Sequence, residues 1–203
     1  MQKLLIATKN KGKLEELTSF FLDLPVKLLS LSDIGIDDDF EEKGETYREN
    51  SQGKAIFYSK KSRLPTIADD GGIEISALGG KPGPKSRRWL GRESTDEELI
   101  RHMISVSKNL PDDNRKAFFR TCVSFALPDG RVWSSFGEVD GIIAKKPHLK
   151  TLKGYPYRSF FFLPEINKYY HESDLTPEEM RAYNHRYKAV SKLKPVIIRE
   201  LGL

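Results

Sequence analysis

Asp69 and Asp70 stand side by side in Ile67-Ala68-Asp69-Asp70-Gly71-Gly72, between an apolar stretch and a pair of glycines. Two carboxylates at the end of a strand would attract a cation. Mg²⁺ takes oxygen ligands of this kind and often shares its coordination shell with substrate phosphates. Taken alone, the six residues read rather as an acidic Asp-Gly turn, and the rest of the chain reverses that. A second cluster, Thr8-Lys9-Asn10-Lys11-Gly12-Lys13, falls between an apolar strand and a helix. Backbone N–H groups and the positive end of a helix dipole meet there, and three lysines add charge suited to phosphate. It is not a Walker A loop, because Ala7 and Leu14 stand where Gly and Ser or Thr are required. Glu41 and Glu42 precede another helix; such residues ordinarily complement its dipole, but beside an aspartate pair they offer a further metal ligand. Asn184-His185-Arg186 adds a planar fork suited to bidentate acceptors. In the block Tyr155, Tyr157, Phe160, Phe161 and Phe162, most rings belong to a core, and one or two are available to stack a nucleobase.

These groups need elements to hold them. Leu4 to Ala7 reads as a first strand, and Lys13 to Leu24 as a helix with Leu14, Leu17, Phe20, Phe21 and Leu24 on one face. A second helix is expected over Thr46 to Lys61. A capping-box pattern at Ser94-Thr95-Asp96-Glu97-Glu98 opens a third, running to about Lys108. Pro65 to Ala68 reads as a short buried strand and Ile73 to Leu78 as a half-exposed one, with the glycines turning between them. Lys116 to Leu127 and Arg131 to Val139 flank Asp129-Gly130, a hairpin signal, and Asp140-Gly141 introduces a further strand over Ile142 to Ala144. Thr176 and Pro177 open a last long helix, expected to reach about Leu193, with Pro195 interrupting it before a short final helix. The class is α/β with a mixed sheet, and no linker or repeat divides residues 1–203.

A net charge of +5 favours anionic partners, and the basic residues are spread along the chain, which argues against a dedicated nucleic-acid arm. The single cysteine, Cys122, lies in an apolar stretch and reads as a core thiol. The sequence shows no apolar run of membrane-spanning length and no signal-peptide pattern, so a cytoplasmic address without membrane partners is expected.

Four segments in order resemble the inosine-triphosphate pyrophosphatase family, which hydrolyses non-standard purine nucleoside triphosphates. Ala7 to Lys13 resembles its Ala-Thr-Gly-Asn-x-x-Lys phosphate loop, and Glu41 to Asn50 its Glu-x-Thr-Gly and Glu-Asn-Ala segment. Ile67 to Gly83, continued by Ser86-Arg87, resembles its Ala-Asp-Asp-Ser-Gly-Leu and Ala-Leu-Gly-Gly-x-Pro-Gly block, and Asn184-His185-Arg186 its Ser-His-Arg signature. The resemblance implies an elongated mixed sheet with flanking helices, two lobes around a nucleotide cleft, and a homodimer. It implies Mg²⁺-dependent attack of water on the α-phosphate, releasing the monophosphate and pyrophosphate. By position, Asp70 would be general base and metal ligand, with Asp69, Glu41 and Glu42 completing or supporting the Mg²⁺ site. Thr8, Lys9, Asn10 and Lys13 would hold phosphate, and Gly71 would sit in the phosphate or sugar environment. Tyr155, Tyr157, Arg158, Arg181, His185 and Arg186 would face the base.

Metal and phosphate elements are largely kept, with departures at Lys9 and Gly71, while the base-reading elements are altered. Gly71 replaces a serine, Lys9 a glycine, and Met180 a lysine, with Arg181 next door. Arg158 stands where the family's Gly-Phe-Gly-Tyr/Trp-Asp-Pro loop has its aspartate. Base specificity is therefore expected to differ from the inosine and xanthine preference. Two other functions fit the same residues: a catalytically inactive nucleotide- or nucleic-acid-binding protein on this fold, or a pyrimidine-preferring pyrophosphatase. Clustered carboxylates argue against the first, because a binder of polyanions has little use for them. The Asn10-Lys11-Gly12-Lys13 loop argues against the second, whose family typically carries Ser-Pro-Arg-Arg.

Overall fold

Leu4, Leu5, Ile6 and Ala7 are all fully buried, which requires cover on both faces of the strand they form. In the computed structural model, which describes Met1–Leu203, that strand is β1 (Gln2–Ile6). It is followed by α1 (Lys11–Phe20), β2 (Val26–Ser30), α2 (Tyr47–Ser62), β3 (Thr66–Ile75), α3 (Asp96–Asn109), β4 (Lys116–Ala126) and β5 (Val132–Ile143). Then come β6 (Phe161–Leu163), β7 (Lys168–Tyr169), α4 (Pro177–Tyr183) and α5 (His185–Leu201). The strands form one mixed seven-stranded sheet in the order β2-β1-β3-β4-β5-β6-β7. β1 pairs parallel with β2 and β3, whereas β6 pairs antiparallel with β5 and β7. The α/β class and mixed sheet expected from the sequence are thus present.

The chain divides into two compact units: Met1–Asp70 with Thr121–Gly137 and Arg186–Leu203, and Gly71–Arg120 with Glu138–His185. In the first unit, alternate side chains enter different cores, as a period of two dictates. Leu4, Ile6 and Ile67 pack with Leu17 and Phe21 and with Val190, Leu193 and Ile197 of α5. Leu5, Ala7 and Ala68 pack with Ala55 and Tyr58 of α2. The second unit has its own core, in which Ile73 and Ile75 meet Leu99 and Met103 of α3 and the rings of Phe119, Phe160, Phe161 and Tyr170.

The capping box expected at Ser94 to Glu98 and the cap expected at Thr176 are present, as full capping boxes of Thr95 with Glu98 and Thr176 with Glu179. Thr46, read as the start of a helix, caps α2 with Glu49. Cys122 is buried, and burial pushes its thiol up, as an inert core thiol requires.

Five features differ from the sequence expectation. The glycines after Asp70 make no turn, because β3 runs unbroken from Thr66 to Ile75. Gly72 is there for close approach: a Cβ on it would lie 2.2 Å from Ser86 Oγ and 2.3 Å from Gly83 O. Asp140-Gly141 likewise stays within β5. A Cβ on Gly141 would meet Phe162 O at 2.5 Å and the Phe161 ring at 2.6 Å, so glycine lets β6 pair at Ile142 and Ile143. Gly141→Ala should therefore destabilise the protein by about 1–3 kcal/mol in denaturant unfolding, and an unchanged midpoint would refute the close-approach reading. α1 ends early, at Phe20, where Phe21 N–H donates to Thr18 O at 3.1 Å and Pro25 lies ahead. The last helical stretch breaks at Asn184, whose extended backbone (φ −78°, ψ 113°) ends α4, as suits a residue that favours helix ends. Pro195, expected to interrupt, lies inside α5. The missing N–H is tolerated because Leu193, Ile197 and Leu201 anchor the helix in the core on either side.

Candidate active site

Successive residues of a strand face opposite ways, and the aspartate pair obeys that rule. Asp69 follows Ile67 onto the α1 and α5 side, where its Oδ2 accepts from Lys13 Nζ at 3.0 Å and from Arg186 Nε at 2.8 Å. Arg186 also pairs with Glu16 at 3.1 Å. Burial works against the charge on Asp69, but Lys13, Arg186 and Lys54 overcome it and hold the carboxyl well below the usual range. Asp70 follows Ala68 onto the α2 side, where its Oδ2 accepts from Asn50 Nδ2 at 3.0 Å. Burial and the charge of Glu42 push the Asp70 carboxyl up to about 6, against the opposing pull of Lys13, Lys54 and Asn50. The two aspartates therefore do different work. Asp69 is a permanently ionised anchor, and Asp70 is the carboxylate whose proton affinity lies near neutrality.

α2 supplies what the sequence reading left out. Asn50 and Lys54 lie four residues apart, one turn along the same face. Gly44 N–H donates to Asn50 Oδ1 at 2.8 Å, so Asn50 is oriented on one side and holds Asp70 on the other. Lys54 pairs with Glu42 and donates to Asp69 O at 3.3 Å. Burial works to lower the Lys54 ammonium, and the charges of Glu42, Asp69 and Asp70 more than compensate. The signal was present in the polar i, i+4 pair on a helix whose other neighbours, Ser51 and Ala55, are fully buried. Asn50→Ala removes the only side-chain donor seen on Asp70 Oδ2, and should lower kcat about tenfold with less change in KM. Equal loss in both would show that Asn50 acts by another route.

Glu42, not Glu41, is the acidic neighbour of Asp70. Glu41 is exposed and pairs with Lys43 at 2.9 Å. In the N-terminal loop, Thr8 Oγ accepts from Asn10 N–H at 3.3 Å, and Asn10 Oδ1 caps α1 through Lys13 N–H at 3.1 Å. Lys9 turns aside to Asp37 O and Asp39, both at 2.7 Å. Arg186, expected at the base edge, is 4% exposed and spends its guanidinium on Asp69 and Glu16.

The remaining expected base-facing residues belong to the second unit. Arg158 is 4% exposed, with its guanidinium over the rings of Tyr155 at 3.9 Å and Tyr170 at 4.6 Å. His185 is buried, stacks on Phe119 at 5.3 Å, and lies 3.2 Å from Tyr170 Oη through Nδ1. Tyr157 is buried with its hydroxyl donating to Ser86 O, so it braces the chain. Arg181 is exposed on α4, and Gly71 opens the second unit's part of β3.

Asp70 and Glu42 form a set suited to a hard divalent cation. Both offer oxygen, the Glu42 charge helps push the Asp70 carboxyl up, and Asp69 Oδ1 is buried with no hydrogen-bond partner. No helix of the chain is long and apolar enough to cross a membrane.

Comparison with known proteins supports a common origin. The Ham1 family model matches residues 4–196. A dITP/XTP pyrophosphatase of Geobacter sulfurreducens is 36% identical over 194 residues, covering 96% of each chain. A dITP/XTP pyrophosphatase of Escherichia coli K12 is 36% identical over 196 residues, covering 95% of this chain and 96% of that protein. Among solved structures, a HAM1 protein from Coxiella burnetii superposes with a TM-score of 0.82 at 30% identity, covering 98% of this chain and all of the other.

Proposed function

The chain belongs to the Ham1 family, and from that premise we propose that it hydrolyses a nucleoside triphosphate to the monophosphate and pyrophosphate. The observation that carries this is Asp70: a buried carboxylate, aligned by Asn50, set beside Glu42, with a proton affinity near neutrality. Such a group suits a general base that takes a proton from water attacking the α-phosphate. Asp69 keeps Lys13 and Arg186 in place, so that positive charge stands ready where the phosphates gather. Mg²⁺ held by Asp70 and Glu42 would acidify the attacking water and neutralise charge on the pyrophosphate. Lys54, paired with Glu42, fixes that carboxylate's position. The 203 residues act as one catalytic domain, cytoplasmic and homodimeric, on free nucleotides rather than nucleic acid.

Base preference is read from Arg158. Where the resembling family carries an acceptor, this chain has a guanidinium ordered by two tyrosine rings. A site that exchanges an acceptor for a donor changes which base edges it leaves unpaired, and discrimination follows that change. The preference should accordingly be displaced from inosine and xanthine. The test is pyrophosphate release from a panel of standard, deaminated, oxidised and pyrimidine triphosphates with Mg²⁺. No release from any of them refutes the activity. Release dominated by dITP or XTP, by orders of magnitude in kcat/KM, keeps the activity and removes the shifted preference.

A further inference from the structure

Two loops of the second unit bring together three groups that the proposed hydrolysis does not use. His148 lies in the segment after β5, and His171 and Asp174 in the segment after β7. The imidazoles stack at 4.2 Å between centroids with planes 23° apart, and His148 Nε2 is 3.2 Å from Asp174 Oδ1. One ligand atom from each residue lies within 4.8 Å of the others. His171 is 2% exposed, yet its Nε2 has no hydrogen-bond partner. We propose that His148, His171 and Asp174 bind a zinc-type transition-metal ion, which staples the segment after β5 to the segment after β7.

A buried polar atom without a partner is uncommon, and each instance asks what satisfies it. For His171 Nε2 a metal ion would do so. In the metal-free protein the Lys150 and Ser173 backbone N–H groups donate to His148 Nδ1 and His171 Nδ1, each at 3.1 Å. Metal at Nε2 therefore requires those N–H groups to turn away and the proton to move to Nδ1, where each ring has an acceptor. His148 Nδ1 is 3.1 Å from Lys150 O. His171 Nδ1 is 2.8 Å from Ser173 Oγ, whose hydroxyl donates onward to Asp174 Oδ1 at 2.9 Å. Acceptors of this kind orient ligating imidazoles once the proton sits on Nδ1. Two imidazoles and one carboxylate, with a fourth position for water, suit Zn²⁺ and its neighbours better than Mg²⁺, which prefers oxygen alone. With metal–ligand bonds of about 2.1 Å, a tetrahedral site needs its ligand atoms about 3.4 Å apart. Binding must therefore draw these atoms together and rotate the stacked rings out of parallel.

The test is Zn²⁺ titration of the metal-free full-length protein by calorimetry, in excess Mg²⁺ to occupy the oxygen-rich site. Visible absorption of Co²⁺ then reports four-coordinate nitrogen and oxygen ligation. The expected result is one Zn²⁺ per chain, retained in Asp70→Asn and weakened at least about 100-fold in His148→Gln and in Asp174→Asn. The wild-type Tm should rise by about 5 °C at a hundred times Kd. His171→Ala removes a buried ring and can fail to fold, so the other two variants decide. Absence of Zn²⁺ uptake overturns the proposal. So does uptake unchanged in both His148→Gln and Asp174→Asn, or uptake lost only in Asp70→Asn, which would place the ion at the other carboxylates.

Discussion

Replacing Asp70 with asparagine should abolish turnover and, at the same time, make the metal-free protein more stable. The substitution keeps shape and most packing but removes the proton acceptor and one of the two oxygen ligands proposed for the metal. Loss of a positioned general base typically costs 10²–10⁴-fold, and loss of the metal adds to it, so kcat/KM should fall by about 10³-fold or more. The stability effect has the opposite sign. The Asp70 carboxyl has an ordinary value of 3.8 and is raised to about 6 in the fold, by burial first and by Glu42 second. The protonated fold is favoured below 3.8, and that advantage drains away as pH rises from 3.8 through about 6. At pH 7 the wild type carries a penalty of about 3 kcal/mol that asparagine does not. Denaturant unfolding in a chelating buffer should show the variant ahead at pH 7, with the gap closing below pH 4. Full activity in the variant would remove Asp70 from the chemistry. A variant no more stable than wild type at pH 7 would mean that the charge is better solvated than its burial implies.

Asp69→Asn should act in the reverse direction on stability. Asp69 is 1% exposed and its Oδ2 receives both Lys13 and Arg186, with Arg186 itself 4% exposed. Removing one member of a buried charge cluster leaves the others uncompensated, which typically costs 3–5 kcal/mol. Because its folded carboxyl is held below the usual range, Asp69 contributes stability that is complete above 3.8 and lost as pH falls toward its folded value. Thermal unfolding from pH 7 down to pH 3 should show a wild-type decline that the variant lacks. A cost below about 1 kcal/mol would show that water or rearranged partners satisfy Lys13 and Arg186.

The pair thus illustrates how far residue order carries. Adjacent carboxylates on an apolar strand and the lysines from Lys9 to Lys13 announced a concentration of charge, because residue type and spacing are local properties. Glu41 and Glu42 were indistinguishable in the sequence, since both precede α2 by similar distances. In the structure Glu42 meets Lys54, whereas Glu41 turns outward to Lys43. His185-Arg186 read as one signature, yet the break at Asn184 starts α5 at His185. The histidine then stacks on Phe119 while the arginine reaches Asp69, 117 positions away.

Composition, capping patterns and strand periodicity by themselves determined that this chain builds a mixed α/β sheet and concentrates charge after β1 and on β3. They did so because caps and hydrophobic periods act within one or two turns of the chain. Only tertiary structure decided which charges pair, because side chains on a strand alternate faces. A different helix, α1 with α5 or α2, covers each face and selects the partners of Asp69 and Asp70.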